Sequence, residues 1–275
     1  MPEKLFPPRV LQEIIEHFHK GSAHTKVFNH SINATSPCRL VHMSAWAASI
    51  DQLTWESDLL FIVSAGNISK YGDVSKPGIR EYIVSGRRYP DYLFLPWARI
   101  ANPGQSLQAV TVGSIAINSV SGIEKSFAGF SEPSPFSRSG LGIWDVIKPE
   151  VVEYGGDFVY DTGHPPNIKI STENSPQLIR STLRGGPLVG NDNVGTSFAA
   201  PKISNIVAAI QSILVFIRAG QVHIYEVKIP EDLRSPADAY DIQVEVTLSY
   251  KAQPRRTRRT RQRYLSTWLE LVVPS

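Results

Sequence analysis

Residues 59–67 read "LLFIVSAGN", and this stretch decides the fold. It begins with consecutive apolar residues that show no polar alternation, which is typical of a strand covered on both faces. Strands of that kind occur in parallel sheets that lie between layers of helices. The stretch therefore predicts an α/β fold built on a parallel sheet.

The segments around this strand alternate between helical and strand patterns. Apolar residues recur at helical spacing over residues 10–18, and Ser44 is placed to cap a second helix over residues 45–57. Further strand patterns and a long apolar helix follow in the order "KVFNHSI" at 26–32, "AVTVGSIAI" at 109–117 and a helix at 197–219. The stretches 68–103 and 119–187 lack a clear period and are predicted to be mostly loop.

Composition excludes several classes of protein. The chain has 275 residues, a net charge of +3 and one cysteine, Cys38, so it is not a disulfide-stabilised secreted scaffold or a strongly basic protein. The first residues lack a signal-peptide pattern, and no apolar run reaches the roughly 18 to 20 residues that span a bilayer. We therefore expect a cytoplasmic protein with no membrane segment.

The pattern changes after Gly220. Residues 241–250, "DIQVEVTLSY", alternate strictly between apolar and polar residues, as expected of a half-solvated antiparallel strand. We predict one large domain over residues 1–220 and a small antiparallel β module over residues 221–275. The module contains six arginines between Arg255 and Arg263, which favours a charged surface strand; nucleic-acid binding is the less favoured alternative.

Residues 195–201 read "GTSFAAP" and raise the question of a catalytic serine. Ser197 stands where the long helix should start, so free backbone N–H groups and the positive end of the helix dipole would face a developing oxyanion. Gly195 and the two alanines permit a close approach, and Pro201 is expected in the first helical turn, where its missing N–H is tolerated. On these residues alone, Ser197 is either a nucleophile or a small turn residue.

"GTSFAAP" resembles the serine signature of the subtilisin-like serine peptidases, and "FIVSAGN" resembles the strand of that family that ends in its oxyanion-hole asparagine. The segments "FSRSG" at 136–140 and "KPEVVEYGG" at 148–156 are similar to the family's intervening segments. The resemblance covers residues 26–219 and implies a subtilisin-like fold, with Ser197 as nucleophile and Asn67 as oxyanion donor. Without it, Asn67 reads as a turn asparagine after Gly66.

Residues 222–268 resemble, more loosely, the C-terminal β extension of some bacterial cytoplasmic subtilases. The resemblance implies that this part of the chain is a cap or docking module.

The chain departs from the family pattern before Asn67. Subtilases carry their catalytic aspartate and histidine in Asp-x-Gly and His-Gly-Thr-His-like motifs ahead of the serine, and neither motif is found here. We therefore expect the N-terminal half of the site to be missing, and an internal deletion near Ala219. The five histidines between His17 and His42 lack the sequence context of a catalytic base, and His30 is expected to face a neighbouring helix.

Two functions follow from these patterns. One is a serine endopeptidase that cleaves a peptide or protein substrate, inactive or weakly active as this chain because no base is found. The alternative is a non-catalytic remnant that binds a peptide or protein. We expect no cofactor and no metal site, and the sequence does not identify a partner that would supply the missing residues.

Overall fold

A parallel sheet of four strands forms the centre of the part of the chain that the structure describes. The computed structural model describes residues 6–171, 175–180 and 192–213. The strands of the sheet are β1 (Val27–His30), β2 (Leu60–Ser64), β3 (Val110–Ile115) and β7 (Val151–Tyr154). They lie in the order β1-β2-β3-β7, and every neighbouring pair runs parallel.

Helices α1 (Pro7–Phe18), α2 (Ala45–Ser57) and α4 (Thr196–Ile213) cover the two faces of this sheet. A short helix, α3 (Ile79–Val84), packs away from the sheet with Tyr92. On one face, Leu11 of α1 and Ile50 of α2 pack with Phe61 and Val63 of β2. On the other face, α4 packs against the sheet through Ala199 and Ala200, which contact Ile62 and Val112. The predicted α/β fold with a parallel sheet between helices is therefore confirmed.

Side-chain alternation along the strands assigns residues to the two faces. Pairing Val27 with Leu60 and His30 with Val63 sets the register of β1 against β2. Within β2, Phe61 and Val63 face α1 and α2, whereas Ile62 faces α4. Complete burial of an isoleucine such as Ile62 stabilises the fold by about 1.5–3 kcal/mol relative to exposure.

The remaining regular structure is short, as the lack of periodicity predicts. Two small antiparallel sheets are built from β4 (Lys125–Ser126), β5 (Gly140–Leu141), β6 (Ile147–Lys148), β8 (Val159–Tyr160) and β9 (Ile168–Lys169). Their strand orders are β4-β8-β9 and β5-β6. Among the described residues, three 3-10 helices lie at Asp91–Phe94, Pro96–Ala98 and Ile143–Asp145. A separate core around Tyr92 and Phe136 holds these loops together.

The position of Pro201 differs from the prediction. It was expected in the first turn, yet it is the sixth residue of α4 and lies inside the helix. Because proline has no N–H, the carbonyl of Ser197 four residues earlier receives no intrahelical hydrogen bond from it. The first turn of α4 is therefore bonded less completely than that of a regular helix.

Several predictions fall outside the described residues. The chain divides into two units, residues 1–223 and 224–275, and every described residue lies in the first. The predicted boundary at residue 220, the β module over 221–275 and the arginine run at 255–263 lie beyond the described part. Within that part, no helix is long and apolar enough to cross a membrane.

Candidate active site

Ser197 lies at the edge of the sheet where β1 and β2 end. It is the second residue of α4 and is partly buried. Its hydroxyl Oγ donates a hydrogen bond of 3.1 Å to the carbonyl oxygen of Ser31, which directly follows β1. The hydroxyl of Ser197 is therefore hydrogen-bonded to a backbone carbonyl, which is too weakly basic to remove its proton.

Asn67, three residues after the end of β2, extends its side chain to the first turn of α4. Its Oδ1 accepts two hydrogen bonds from Thr196, one from the backbone N–H and one from the hydroxyl, each 3.0 Å long. Because the backbone N–H can only donate, the atom that faces it must be the amide oxygen. The Nδ2 group of Asn67 is thus left as a free donor, since no described residue accepts from it.

A second donor lies beside Asn67. The backbone N–H of Ser197 belongs to the first turn of α4, where intrahelical acceptors are lacking, and it has no acceptor in the described part of the chain. Gly195 permits the close approach of Asn67 to this turn, because a Cβ added at Gly195 would lie only 3.3 Å from Nδ2 of Asn67. Two unpaired donors at a helix N-terminus form an arrangement suited to an oxyanion.

The turn at Gly66 aims Asn67 at α4. Gly66 has φ of +92°, a conformation that residues with a Cβ rarely adopt, and a Cβ there would lie 2.7 Å from Cβ of Ala101. The backbone on either side is fixed, because Ala65 N–H donates to Val112 at 2.9 Å and Ile68 N–H donates to Phe136 at 2.7 Å. The side chain of Asn67 therefore extends from a rigid turn.

The turn after β1 is tied to β2 in a similar way. Nδ2 of Asn33 donates to the carbonyl of Ser64 at 2.7 Å, and the hydroxyl of Ser64 donates to Oδ1 of Asn33. These bonds connect the segment that carries Ser31 to the strand that leads to Asn67. The acceptor of Ser197 and the turn of Asn67 are thus parts of one bonded unit.

His30 lies on the wrong face of the sheet to serve Ser197. As predicted, it faces a helix: its ring packs edge-on against Trp46 of α2, with 5.4 Å between ring centres. Burial lowers its pKa to about 4, and its Nε2 has no hydrogen-bond partner among the described residues. The adjacent Asn29 bonds instead to Ser204 of α4, on the opposite face.

Asp51 and Asp58, the two aspartates near β2, have structural roles. Asp51 of α2 accepts hydrogen bonds from the 106–108 segment, including the hydroxyl of Ser106. Asp58 ends α2 with φ of 52°. In the described part of the chain, neither an aspartate nor a histidine hydrogen-bonds to Ser197, and no group of three or more His, Cys, Asp or Glu side chains could hold a metal ion.

The sequence motifs single out Ser197 and Asn67 but not the residues that connect them. Thr196 holds the amide of Asn67, Ser31 accepts from Ser197, and the buried Arg138 donates to the carbonyl of Asn67 at 3.2 Å. Thr196 and Arg138 lie in the segments "GTSFAAP" and "FSRSG", which the sequence identifies as family-like without assigning a role to either residue. Their contacts arise from tertiary structure and have no sequence signal of their own.

Comparison with known proteins gives a family and one curated relative. A family model described as "Peptidase_S8: Subtilase family" matches residues 9–217. The protein named "Uncharacterized protein y4bN" from Sinorhizobium fredii (strain NBRC 101917 / NGR234) is 32% identical over 179 residues, which are 58% of this chain and 38% of that protein. The chain thus spans less than two fifths of the length of this relative.

Solved structures that match part of the chain include two that are described as proteases. One, described as proteases from Pseudoalteromonas arctica PAMC 21717, has a TM-score of 0.41 and 18% identity, and the match covers 70% of this chain and 40% of that one. Another is the "Epidermin Leader Peptide Processing Serine Protease (EpiP)" from Staphylococcus aureus, with a TM-score of 0.36 and 15% identity over 76% of this chain and 45% of that one.

Proposed function

The chain belongs to the subtilase family, and from that premise we propose that it is a serine endopeptidase with Ser197 as nucleophile and Asn67 as oxyanion donor. The observation that carries the proposal is the pair of hydrogen bonds from Thr196 to Asn67, which leaves Nδ2 of Asn67 free beside the first turn of α4. We further propose that the substrate is a peptide or protein.

The proposed reaction begins with attack of Ser197 Oγ on a peptide carbonyl carbon. A carbon–oxygen bond forms while the Oγ–H bond of Ser197 breaks, and a base takes the proton that later leaves with the amine. The carbonyl oxygen becomes an oxyanion that accepts from Nδ2 of Asn67 and the N–H of Ser197. Collapse of this intermediate breaks the carbon–nitrogen bond, and the amine leaves with a proton. Water then hydrolyses the acyl-enzyme.

We propose that this chain is inactive or weakly active in isolation. Attack requires a base that takes the hydroxyl proton, and in the described residues that proton is donated to the carbonyl of Ser31. Oxyanion stabilisation and substrate binding leave a residual rate when the base is absent, about 10³- to 10⁴-fold above water in the subtilisin measurements that define this behaviour.

The absence of a base among the described residues favours a second candidate, a non-catalytic remnant that binds a peptide or protein. The two functions differ in whether Ser197 is nucleophilic. A cytoplasmic location stays a prediction that rests on the sequence, with its single cysteine Cys38.

A fluorophosphonate probe, which reacts with activated serines, tests the proposal. Ser197→Ala is compared with Ser204→Ala, a matched control because Ser204 lies on the same helix and bonds to Asn29 and Ala200 instead. Circular dichroism first establishes that each sample is folded. Labelling of the wild type and of Ser204→Ala, but not of Ser197→Ala, supports the peptidase.

Absence of labelling in folded wild-type protein would favour the remnant. The donor role of Asn67 is tested with Asn67→Ala in a labelling-competent sample. Loss of the corresponding donor in subtilisin lowers kcat by about 10²- to 10³-fold, and a fall in labelling rate of that order is expected. An unchanged rate would remove Asn67 from the proposed site.

A further inference from the structure

Arg138 is a buried cation directly behind the turn of Asn67. Its side chain is 2% exposed. Nε donates to the carbonyl of Asn67 at 3.2 Å, and Nη1 donates to the carbonyls of Trp97 and Arg99 at 2.8 and 3.0 Å. Nη2 donates to the carbonyl of Thr35 at 2.7 Å. One guanidinium group thus joins three separate segments of the chain.

Two of these segments form the candidate site. Thr35 belongs to the turn that begins at Ser31, the acceptor of Ser197, and Asn67 supplies the free amide donor. The backbone reinforces the connection, because Arg138 N–H donates to the carbonyl of Gly66 at 3.2 Å. Arg138 is therefore bonded to both of the segments that contact the first turn of α4.

The charge of Arg138 is not neutralised by an acid. Its partners are main-chain carbonyls, and no carboxylate in the described part of the chain forms an ion pair with it. Burial lowers its pKa to about 10, so the group stays protonated at neutral pH. A buried charge that is held by dipoles alone keeps its long-range field, whereas an ion pair would cancel most of it.

We propose that Arg138 is a positioning residue of the oxyanion hole: its guanidinium fixes the main chain of Asn67 relative to the Ser31–Thr35 turn and adds positive potential where the oxyanion develops. This inference rests on the proposed function. A lysine has a single charged nitrogen and cannot reproduce the planar fork that reaches four carbonyls. Arg138→Lys therefore keeps the charge and removes the positioning.

The test compares Arg138→Lys with a control that disturbs another buried cation. Lys148 is also buried, and its Nζ donates to the carbonyl of Ala109 at 3.0 Å, at the start of β3 and away from Ser197 and Asn67. Lys148→Gln thus loses this buried bond and the ion pair of Lys148 with Glu150, and so disturbs a buried cation without touching the site. Both variants are measured well below their melting temperatures, so that the folded state is compared.

The first readout does not require activity. In protein labelled with ¹⁵N at asparagine, the side-chain amide signals of Asn67 are assigned by their loss in Asn67→Ala. We expect Arg138→Lys to shift these signals and Lys148→Gln to leave them in place. Unchanged signals in Arg138→Lys, or equal shifts in both variants, would overturn the positioning role.

The second readout is the rate of fluorophosphonate labelling. We expect Arg138→Lys to lower this rate by about 10-fold, less than the loss of the donor itself. A loss of the same factor in Lys148→Gln would overturn the proposal in favour of a general structural effect. If wild-type protein is not labelled, the peptidase proposal fails, and the Asn67 signals alone decide the role of Arg138.

Discussion

Replacing Asp157 with asparagine should change how the stability of the fold depends on pH. The Asp157 side chain is fully buried, and its Oδ2 accepts from Ala128 N–H at 2.9 Å. Burial raises its pKa from 3.8 to about 7. Between pH 3.8 and about 7, Asp157 therefore stays protonated in the folded state, whereas it has lost its proton in the unfolded chain. The resulting stabilisation is complete below pH 3.8 and is lost as pH rises through 7.

The magnitude follows from the shift of about 3 pH units in that pKa. At 1.36 kcal/mol per unit, ionisation of Asp157 lowers the free energy of unfolding by about 4 kcal/mol between pH 4 and pH 8. The amide side chain of asparagine does not ionise in this range. The stability advantage of Asp157→Asn over the wild type should therefore grow by about 4 kcal/mol across this range.

His30 acts with the opposite sign. Its pKa is lowered from 6.5 to about 4, so the folded state excludes a proton that the unfolded chain binds between these values. The stabilisation is present above pH 6.5 and is lost as pH falls through about 4, by about 3 kcal/mol. Between pH 4 and 6.5 the contributions of His30 and Asp157 offset each other in the wild type.

Urea unfolding followed by tryptophan fluorescence, from about pH 4.5 to 8.5, separates the two groups. Asp157→Asn should lose stability towards acid, whereas His30→Phe should gain it. The two residues lie in different parts of the core, so the double variant should show the sum of the two effects. A stability difference between wild type and Asp157→Asn that does not change with pH would refute the reasoning.

Two substitutions test local geometry by urea unfolding. Gly66→Ala should destabilise the fold by more than about 1 kcal/mol, because φ is +92° and the new Cβ would lie 2.7 Å from Cβ of Ala101; a stabilised variant would contradict this. Ser44→Ala should cost about 1 kcal/mol, since Oγ of Ser44 accepts from Ala47 N–H at 3.1 Å at the start of α2. Ser44→Asp retains an acceptor and serves as control, so equal stability of the two variants would argue against capping.

The sequence predicts the elements whose burial is continuous or periodic. The apolar run of β2 marks a strand covered on both sides, and the spacing in α1 and α2 marks one buried face. The strand β7 was not predicted as a member of the central sheet. Its Val151 and Val152 are 36% and 50% exposed, so it lacks the apolar continuity that identifies β2.

For the candidate site, the sequence identifies two residues, and the structure shows the hydrogen bonds that join them to the rest of the fold. Ser197 and Asn67 stand in motifs that resemble a family, so their residue types were enough to single them out. The bond from Thr196 to Asn67 and the bonds of Arg138 depend on which loops meet in space. The spacing of apolar side chains cannot predict these contacts between loops, because loops have no regular spacing of apolar residues.

The bond from Ser197 to Ser31 joins residues 166 positions apart in the sequence, and the bonds from Thr196 to Asn67 span 129. Contacts of such long range require closure of large loops, which makes them slow to form. During synthesis from the N-terminus, β1 and β2 can emerge and pair long before α4 exists. Ser197 therefore meets the residues around it only when residue 197 has been made, so the unfinished chain contains no assembled candidate site.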